Sequence, residues 1–278
     1  MSLDEVELLR ASVYRFHSLI AERWRDGLVF LAGDAAHQTP PFLGQGLCHG
    51  IRDVQNLVWK IAAATRGGHA ESLRESYEAE RRPHVTRIIN MAVQAGREIC
   101  MLDPAAAAER DQRLRRAALT GELPRTTFQG LPPLGDGLFS GTAAADELFP
   151  QPAVQSGQRH VALFDDLVPP DVAVVATNGA APAIRPAAAE LDVPVVAVGE
   201  MAAKHGTGLI ATSDYLTKWF EERGGRFAVL RPDRYVFGVA TEADEAEAML
   251  RELCASGRPL RRRRPPLAAP GNSADPAR

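Results

Sequence analysis

The sequence specifies an α/β chain built in two parts, and three observations carry that reading. The apolar run LVFLA, 28–32, is bounded by Gly27 and Gly33 and leads into stretches whose apolar residues recur every three or four positions. Residues 121–158 are dense in Gly and Pro and keep no period, which marks a connection with a domain boundary near its end. From His160 onward, short β-rich runs alternate with helical ones, the pattern of a sheet covered by helices. With 278 residues and 45% apolar content, the chain has room for one large domain or two small ones.

In the first part, SVYRFH, 12–17, reads as a short strand and LVFLA as a buried one. Gly44 to Thr65 reads as a helix. Ile51, Val54, Leu57, Val58, Ile61 and Ala62 form one apolar face, taken with Trp59 as core, and Gly67-Gly68 ends the helix. A second helical region spans 70–100, where Pro83 is expected to break the helix or to open a new first turn. A third helix covers 103–119, with Asp103 as its cap and Pro104 at its first position.

Within the connection, Phe128, Leu131, Leu134, Leu138 and Phe139 are expected to supply partial order. Beyond it, HVALFDD and VAVVAT read as strands, APAIRPAAAEL as a helix and VPVVAVG as a strand. SDYLTKWFEERGG reads as a helix capped by Ser213 or Asp214 and stopped by Gly224-Gly225. RFAVLRPDRYVFGVA reads as two strands about a turn, and TEADEAEAMLRELCAS as a last helix with an acidic first turn. After its first strand this order is β-α-β-α-β-β-α, that of a thioredoxin-like sheet. Thiol chemistry there needs CxxC at the start of the first helix, where this chain reads TNGAAPAI, so the shape is expected without the chemistry. The tail 258–278, with six Arg and one Asp among Pro and Ala, reads as disordered.

The formal net charge of −3 gives no nucleic-acid footprint. Cys48, Cys100 and Cys254 form no CxxC, which argues against a disulfide framework, a zinc finger and a dithiol site. MSLDEVELLR has acids where a signal peptide has bases, and no apolar stretch reaches the roughly 18 residues of a membrane span. The expected compartment is the cytoplasm, with no membrane partner.

The chemistry-bearing stretch is FLAGDAAHQTPPFLGQGLCHG, 30–50. A strand end meets Gly33-Asp34, then a Pro-rich extended segment, then a Gly-rich helix start. Pro40 and Pro41 hold the chain extended, and Gly44 and Gly46 let the backbone come close to a ligand. The first N–H groups of the next helix lack intrahelical partners and carry the positive dipole end, so they suit an anionic group. A Walker loop would need Lys-Ser/Thr where Leu47-Cys48 stand, and Gly44, Gly46 and Gly50 are spaced one residue too widely for GxGxxG. A ligand with a delocalised negative charge and a polyol arm fits better, with Asp34 accepting from its hydroxyls. Asp34 and His37 lack a third ligand for a metal, so no metal site is expected. Arg52-Asp53 reads as a structural ion pair or cap, and His37 as a packing or hydrogen-bonding residue.

LVFLAGDAAHQTPPFLGQGLCHGIRDVQNLVWKI, continued by YEAERRPHVTRIINMAVQAGR, resembles the signature of the FAD-dependent aromatic hydroxylases (group A flavoprotein monooxygenases). The subgroup it most resembles acts on 3-(3-hydroxyphenyl)propionate and related phenols and carries a thioredoxin-like C-terminal domain. The likeness is strong over 12–100 and architectural over 155–255. It implies an α/β fold with residues 1–120 as the C-terminal part of a PHBH-like FAD-binding domain. Residues 121–158 are then a connection, 159–257 a thioredoxin-like domain without CxxC, and 258–278 the tail. It also implies a cofactor site in which Gly33 and Asp34 meet the ribityl chain and Pro41 and Gly44 lie beside the isoalloxazine. The backbone of Gly46, Leu47 and Cys48 would meet the pyrimidine edge. The implied cofactors are FAD, with NADH or NADPH as co-substrate, and the implied reaction is hydroxylation of a phenolic ring by O2. No catalytic side chain is named by it.

The family's FAD domain opens with a strand, GxGxxG and a ribose-binding acid, none of which occurs here. The chain is therefore expected to be an N-terminally truncated form, a product of a misassigned gene start, or one half of a split enzyme. Its expected partners are a small aromatic substrate, O2, and either a second copy or a separate N-terminal FAD-binding chain. The alternative reading is a non-catalytic fragment or assembly module that keeps a partial flavin site.

Overall fold

The computed structural model describes residues 7, 9–65, 70–122, 131–142, 144–156, 160–168, 170–177, 179–199, 208–211 and 214–257. The readings at Gly67-Gly68, Phe128, Ser213 and the tail 258–278 lie outside these residues. The chain divides into two compact units, 1–56 with 77–137, and 57–76 with 138–278.

The first unit opens on β1 (Leu19–Ile20), β2 (Arg25–Asp26), β3 (Val29–Phe30) and β4 (His37–Gln38). β1 pairs antiparallel with β4, and β2 with β3. SVYRFH forms no strand, and of LVFLA only Val29–Phe30 pairs. Leu28 and Val29 are 78% and 68% exposed, because the ribbon they join has only two strands and no neighbour over its outer side. The hairpin is tied down instead through its ends. Trp24 N–H donates to Glu78 Oε2 at 2.8 Å, and Tyr77 Oη–H donates to the Leu31 carbonyl at 2.9 Å.

Three helices follow, α1 (Gly46–Ala64), α2 (Ala70–Ile99) and α3 (Pro104–Thr120). Asp103 caps α3 as expected, its Oδ1 accepting from Ala106 N–H at 2.8 Å. Pro83 does not break α2, which runs through it. A proline leaves the carbonyl four residues earlier without its helical donor. Gly135 lies directly against that carbonyl, of Ala79, and donates its own N–H to the next one, Glu80, at 2.8 Å. The segment 131–137 thus covers the wound the proline leaves.

Helix α1 corrects the sequence reading most. Of its expected apolar face, Leu57 and Trp59 are buried, but Ile51, Val54, Val58 and Ile61 are exposed, as is Leu47, while His49, Asp53, Asn56 and Lys60 are completely buried. Those polar residues are buried with partners. Asp53 meets Arg81 and His37, and Asn56 Nδ2 donates to Glu80 Oε2 at 2.8 Å. His49 lies between His37 and His84, with ring centroids 5.8 and 5.9 Å away. Burial, and then the Arg81 charge, push both His49 and His84 down to about 3. Burial alone would push Asp53 up, but the His37 hydrogen bond and the Arg81 charge outweigh it and hold the carboxyl below the usual range.

The second unit carries β5 (Ala153–Ser156), β6 (His160–Leu163), α4 (Phe164–Leu167), β7 (Ala173–Thr177), α5 (Ala181–Glu190), β8 (Val195–Val198) and β9 (Gly208–Ala211). These are followed by α6 (Tyr215–Glu222), β10 (Phe227–Leu230), β11 (Val236–Ala240) and α7 (Ala243–Ser256). One seven-stranded sheet has the order β11-β10-β7-β8-β9-β5-β6, with β7–β8 and β8–β9 parallel and the other pairs antiparallel. β7 is apolar and buried from Ala173 to Ala176 because both its faces are covered. Val174 and Ala176 pack with Ile184, Phe227, Phe237 and Leu250, whereas Ala173 and Val175 pack with Phe149, Phe164, Leu216 and Trp219. β5 and β9, unread in the sequence, are four-residue strands in Gly- and Gln-bearing stretches and owe their form to the ladder. HVALFDD turns helical at Phe164. Asp214 sits at the α6 cap position without capping; its carboxylate pairs with Lys218 at 2.6 Å. In the turn before β11, buried Arg231 pairs with Asp233 at 2.7 Å and lies over the rings of Phe139 and Trp59.

Two outcomes follow from this packing. A Cβ at residue 135 would press into the Ala79 carbonyl and lie 2.8 Å from Pro83 Cγ. Gly135→Ala is therefore expected to cost about 1–3 kcal/mol in thermal or urea unfolding. The second concerns pH. His49 and His84 stay neutral in the fold while unfolded histidines, near 6.5, take up protons. Between about pH 6.5 and 3 the unfolded chain binds more protons, so stability decreases as the pH is lowered, by up to about 1.4 kcal/mol per unit for each histidine. Asp53 acts in the same direction lower down: its contribution is present above its unfolded pKa and is lost as pH falls through its depressed folded value. Urea titrations from about pH 7 to 4 should show this slope, reduced in His49→Leu; a flat profile would contradict it.

Candidate functional site

The site is built from one stretch of chain and lies within the first unit. Gly33, at φ +59°, opens a 3₁₀ turn over Gly33–Ala35. The turn rests on α1 through a pair of glycines, since a Cβ at residue 50 would lie 3.4 Å from Gly33 Cα. Asp34 is exposed at this turn. Pro40 continues extended, with ψ 148°, into a second 3₁₀ turn, Pro41–Leu43, which Gly44 closes at φ +62°. That turn is pinned from behind. The Phe42 ring occupies the space a Cβ would need at Gly96 of α2, and it meets Phe16 edge-on at 5.3 Å. Gly46 then starts α1, and neither Gly44 nor Gly46 has a neighbour within 4 Å of where a Cβ would stand.

Between these turns and residues 14–17 is a cleft of about 940 Å³. Gly33, Asp34, Pro41, Gly44, Gly46 and Leu47 all line it. Cys48, the remaining residue predicted to meet the cofactor, is half-buried on α1 and is not among the lining residues. Sequence reasoning missed the wall formed by Tyr14 to His17, which it took for a strand; the only signal was that this stretch begins the family likeness. It also misjudged Ile51 and Val54, which line the cleft instead of filling the core.

The chemistry the cleft offers is that of an open anion-accepting helix start with a carboxylate beside it. The first amides of α1 have no carbonyl partner within the helix and carry its positive end. Asp34 can accept hydrogen bonds from hydroxyls. Leu47, Ile51 and Val54 supply an apolar floor of the kind a flat ring system covers. Gly44 and Gly46, bare of Cβ, leave room for such a ring against the backbone. The residues present thus fit the ring and polyol portion of a flavin. Among the described residues no group of His, Cys, Asp or Glu could hold a metal ion.

Behind the cleft, Asp53 forms its ion pair with Arg81, Nε to Oδ1 at 2.8 Å, and not with the adjacent Arg52, which donates to Gln45 Oε1 at 3.3 Å. His37 is buried against Trp24 and bonded to Asp53 Oδ2 at 2.7 Å, which makes it the hydrogen-bonding residue expected.

Known proteins resemble this chain along both of its parts. Residues 2–92 match the FAD binding domain family, and residues 147–256 match the HcaD C-terminal domain. A probable NADH-specific resorcinol 4-hydroxylase of Rhodococcus jostii (strain RHA1) is 38% identical over 267 residues, covering 94% of this chain and 49% of the relative. A 3-(3-hydroxy-phenyl)propionate/3-hydroxycinnamic acid hydroxylase of Mycobacterium sp. (strain JLS) is 33% identical over 272 residues, covering 89% and 48%. Among solved structures, the flavin-dependent monooxygenase PieE in complex with FAD and substrate superposes with a TM-score of 0.63 at 23% identity, over 87% of this chain and 50% of that one. The anhydrotetracycline hydroxylase OxyS of Streptomyces rimosus does so with a TM-score of 0.62 at 25% identity, over 86% and 47%. The chain spans about half the length of the curated relatives it matches. Over most of its length the chain is thus similar to hydroxylases of phenolic compounds, and it matches the FAD binding domain family through residues 2–92 and the HcaD C-terminal domain through residues 147–256.

Proposed function

We propose that this chain serves FAD-dependent hydroxylation of a small phenolic compound by O2, with NADH or NADPH as electron donor. A resorcinol- or hydroxyphenylpropanoate-like ring is the substrate class, by relation to the hydroxylases it matches. The observation that carries the reading is the convergence of Gly33, Asp34, Pro41, Gly44, Gly46 and Leu47 on one cleft.

Bound FAD, once reduced by the nicotinamide, supplies the oxygen-activating chemistry. The chain's own residues hold and surround it. Asp34 accepts from the ribityl hydroxyls. The Pro41–Leu43 turn, held by Phe42 on Gly96, walls one face of the ring. The amides at the start of α1, at Gly46 and Leu47 on the cleft with Cys48 behind them, would offer a bound flavin ring a positive environment. Leu47, Ile51 and Val54 keep water from the ring. With no GxGxxG in the sequence, no contact to the adenosine is assigned.

The second unit supports a thioredoxin-like reading of residues 159–257. Strands β11-β10-β7-β8, with β7 and β8 parallel and α5 between them, give its four-strand pattern, to which β9, β5 and β6 add an edge. Without a CxxC the unit carries no dithiol chemistry. Dependence on a nicotinamide favours the cytoplasm as the compartment; among the described residues no helix is long and apolar enough to cross a membrane.

Titration of the purified chain with FAD, followed by flavin fluorescence, tests the reading. Saturable quenching is expected, with Asp34→Ala weakening it about 10–100-fold, as for a lost hydrogen bond between a carboxylate and a ligand. Oxidation of NADH or NADPH stimulated by resorcinol or 3-(3-hydroxyphenyl)propionate tests the reaction. A wild-type chain that does not saturate with FAD would sink the proposal.

A further inference from the structure

The Asp34 carboxylate has no hydrogen bond of its own among the described residues and is exposed, so only the backbone of its turn decides where it stands. That backbone is held from inside. Gly33 N–H donates to Asp53 Oδ2 at 3.0 Å, across twenty residues of chain. The same oxygen bonds His37 Nε2 at 2.7 Å, and Oδ1 accepts from Arg81 Nε at 2.8 Å. An ionised carboxylate only accepts, so His37 carries its proton on Nε2. The side chains of Asp53, His37 and Arg81 are all fully buried. One carboxylate therefore ties together the turn that bears Asp34, the strand β4 that follows it, and the helix α2 behind. The contact of Gly33 with Gly50 keeps that turn flush on α1.

We propose that Asp53 is the positioning residue of the cofactor site: held by Arg81 and His37, it fixes the Gly33–Asp34 turn and through it the Asp34 carboxylate. This rests on the flavin reading of the cleft for its consequence, not for its geometry. A group that acts only by aiming Asp34 loses its effect once Asp34 is gone, which separates positioning from a general loss of stability.

The test is a double-mutant cycle on FAD affinity in the full chain, read by flavin fluorescence at a temperature where circular dichroism shows each variant folded. Asp53→Asn is expected to weaken FAD about tenfold, Asp34→Ala about thirtyfold, and the pair still about thirtyfold. Losses that multiply to about three-hundredfold, or an Asp53→Asn variant with unchanged affinity, overturn the proposal. If Asp53→Asn does not fold, the His37 pair decides it. His37→Ala should weaken binding and His37→Gln, which keeps a donor, should restore it; equal affinities in both overturn it. If the wild-type chain binds no FAD, the functional reading fails alone. The clamp is then judged by hydrogen exchange at the Gly33 amide, which Asp53→Asn, or His37→Ala if that variant does not fold, must accelerate about tenfold or more while α3 amides stay unchanged; no acceleration overturns it.

Discussion

The first unit depends on a buried carboxylate whose two oxygens are both bonded. Taking a carboxylate and a guanidinium out of water carries a large desolvation cost, which attraction and hydrogen bonds offset only with good geometry. Asp53 has that geometry, with Arg81 on one oxygen and His37 and the Gly33 amide on the other. Removing one partner of such a pair costs about 3–5 kcal/mol, because the other is left buried and unpaired. The surrounding elements are therefore bound to one arrangement. α1 must turn its polar row inward to reach α2, and the chain at Gly33 must bend to deliver its amide. The cleft on the far side of α1 takes its shape from that arrangement.

A second layer of constraint works through space. Gly96 admits the Phe42 ring, Gly50 admits the Gly33 backbone, and Gly135 covers the carbonyls around Pro83. At Gly96 and Gly135 two elements approach more closely than a side chain would permit, and at Gly50 they approach to ordinary contact with the position of a Cβ. The Pro41–Leu43 turn is thereby rigid without any hydrogen bond from its own side chains to α2, and the two 3₁₀ turns face the cleft from a fixed base.

What the sequence made legible follows from what kind of force places each part. The Asp34 turn, the Pro-Pro segment and the helix start at Gly46 were readable, because backbone-special residues declare their conformations locally. β7, β10 and β11 were readable because sheets covered on both faces need unbroken apolar runs. The four-residue strands β5 and β9 were not, since their form comes from neighbours far away in sequence. The inward face of α1 was read correctly at Leu57 and Trp59 but backwards at Ile51, Val54, Val58 and Ile61. Periodicity locates a stripe of like residues on a helix but does not say which stripe is inside, and Asp53 and Asn56 are buried against Arg81 and Glu80 of α2, partners that no local pattern reveals. Pro83 misled for a similar reason: whether a helix tolerates proline depends on what covers the freed carbonyl, here a glycine 52 positions on.

The reversed helix α1 has a consequence for anyone who alters this protein. The customary rules for improving a soluble domain, replacing exposed oily residues freely and treating interior polar ones as flaws to be filled with hydrocarbon, would go wrong at nearly every turn of it. Changing Leu47, Ile51 or Val54 to a polar residue would leave the packed interior alone yet strip the cleft of its floor. Changing Asp53 to an apolar residue of similar volume would look like a conventional core repair and would strand Arg81 and His37 without their carboxylate, and the same change at Asn56 would take a donor from Glu80. Along the first half of this helix, hydrophobicity lines the cleft and polarity holds the fold.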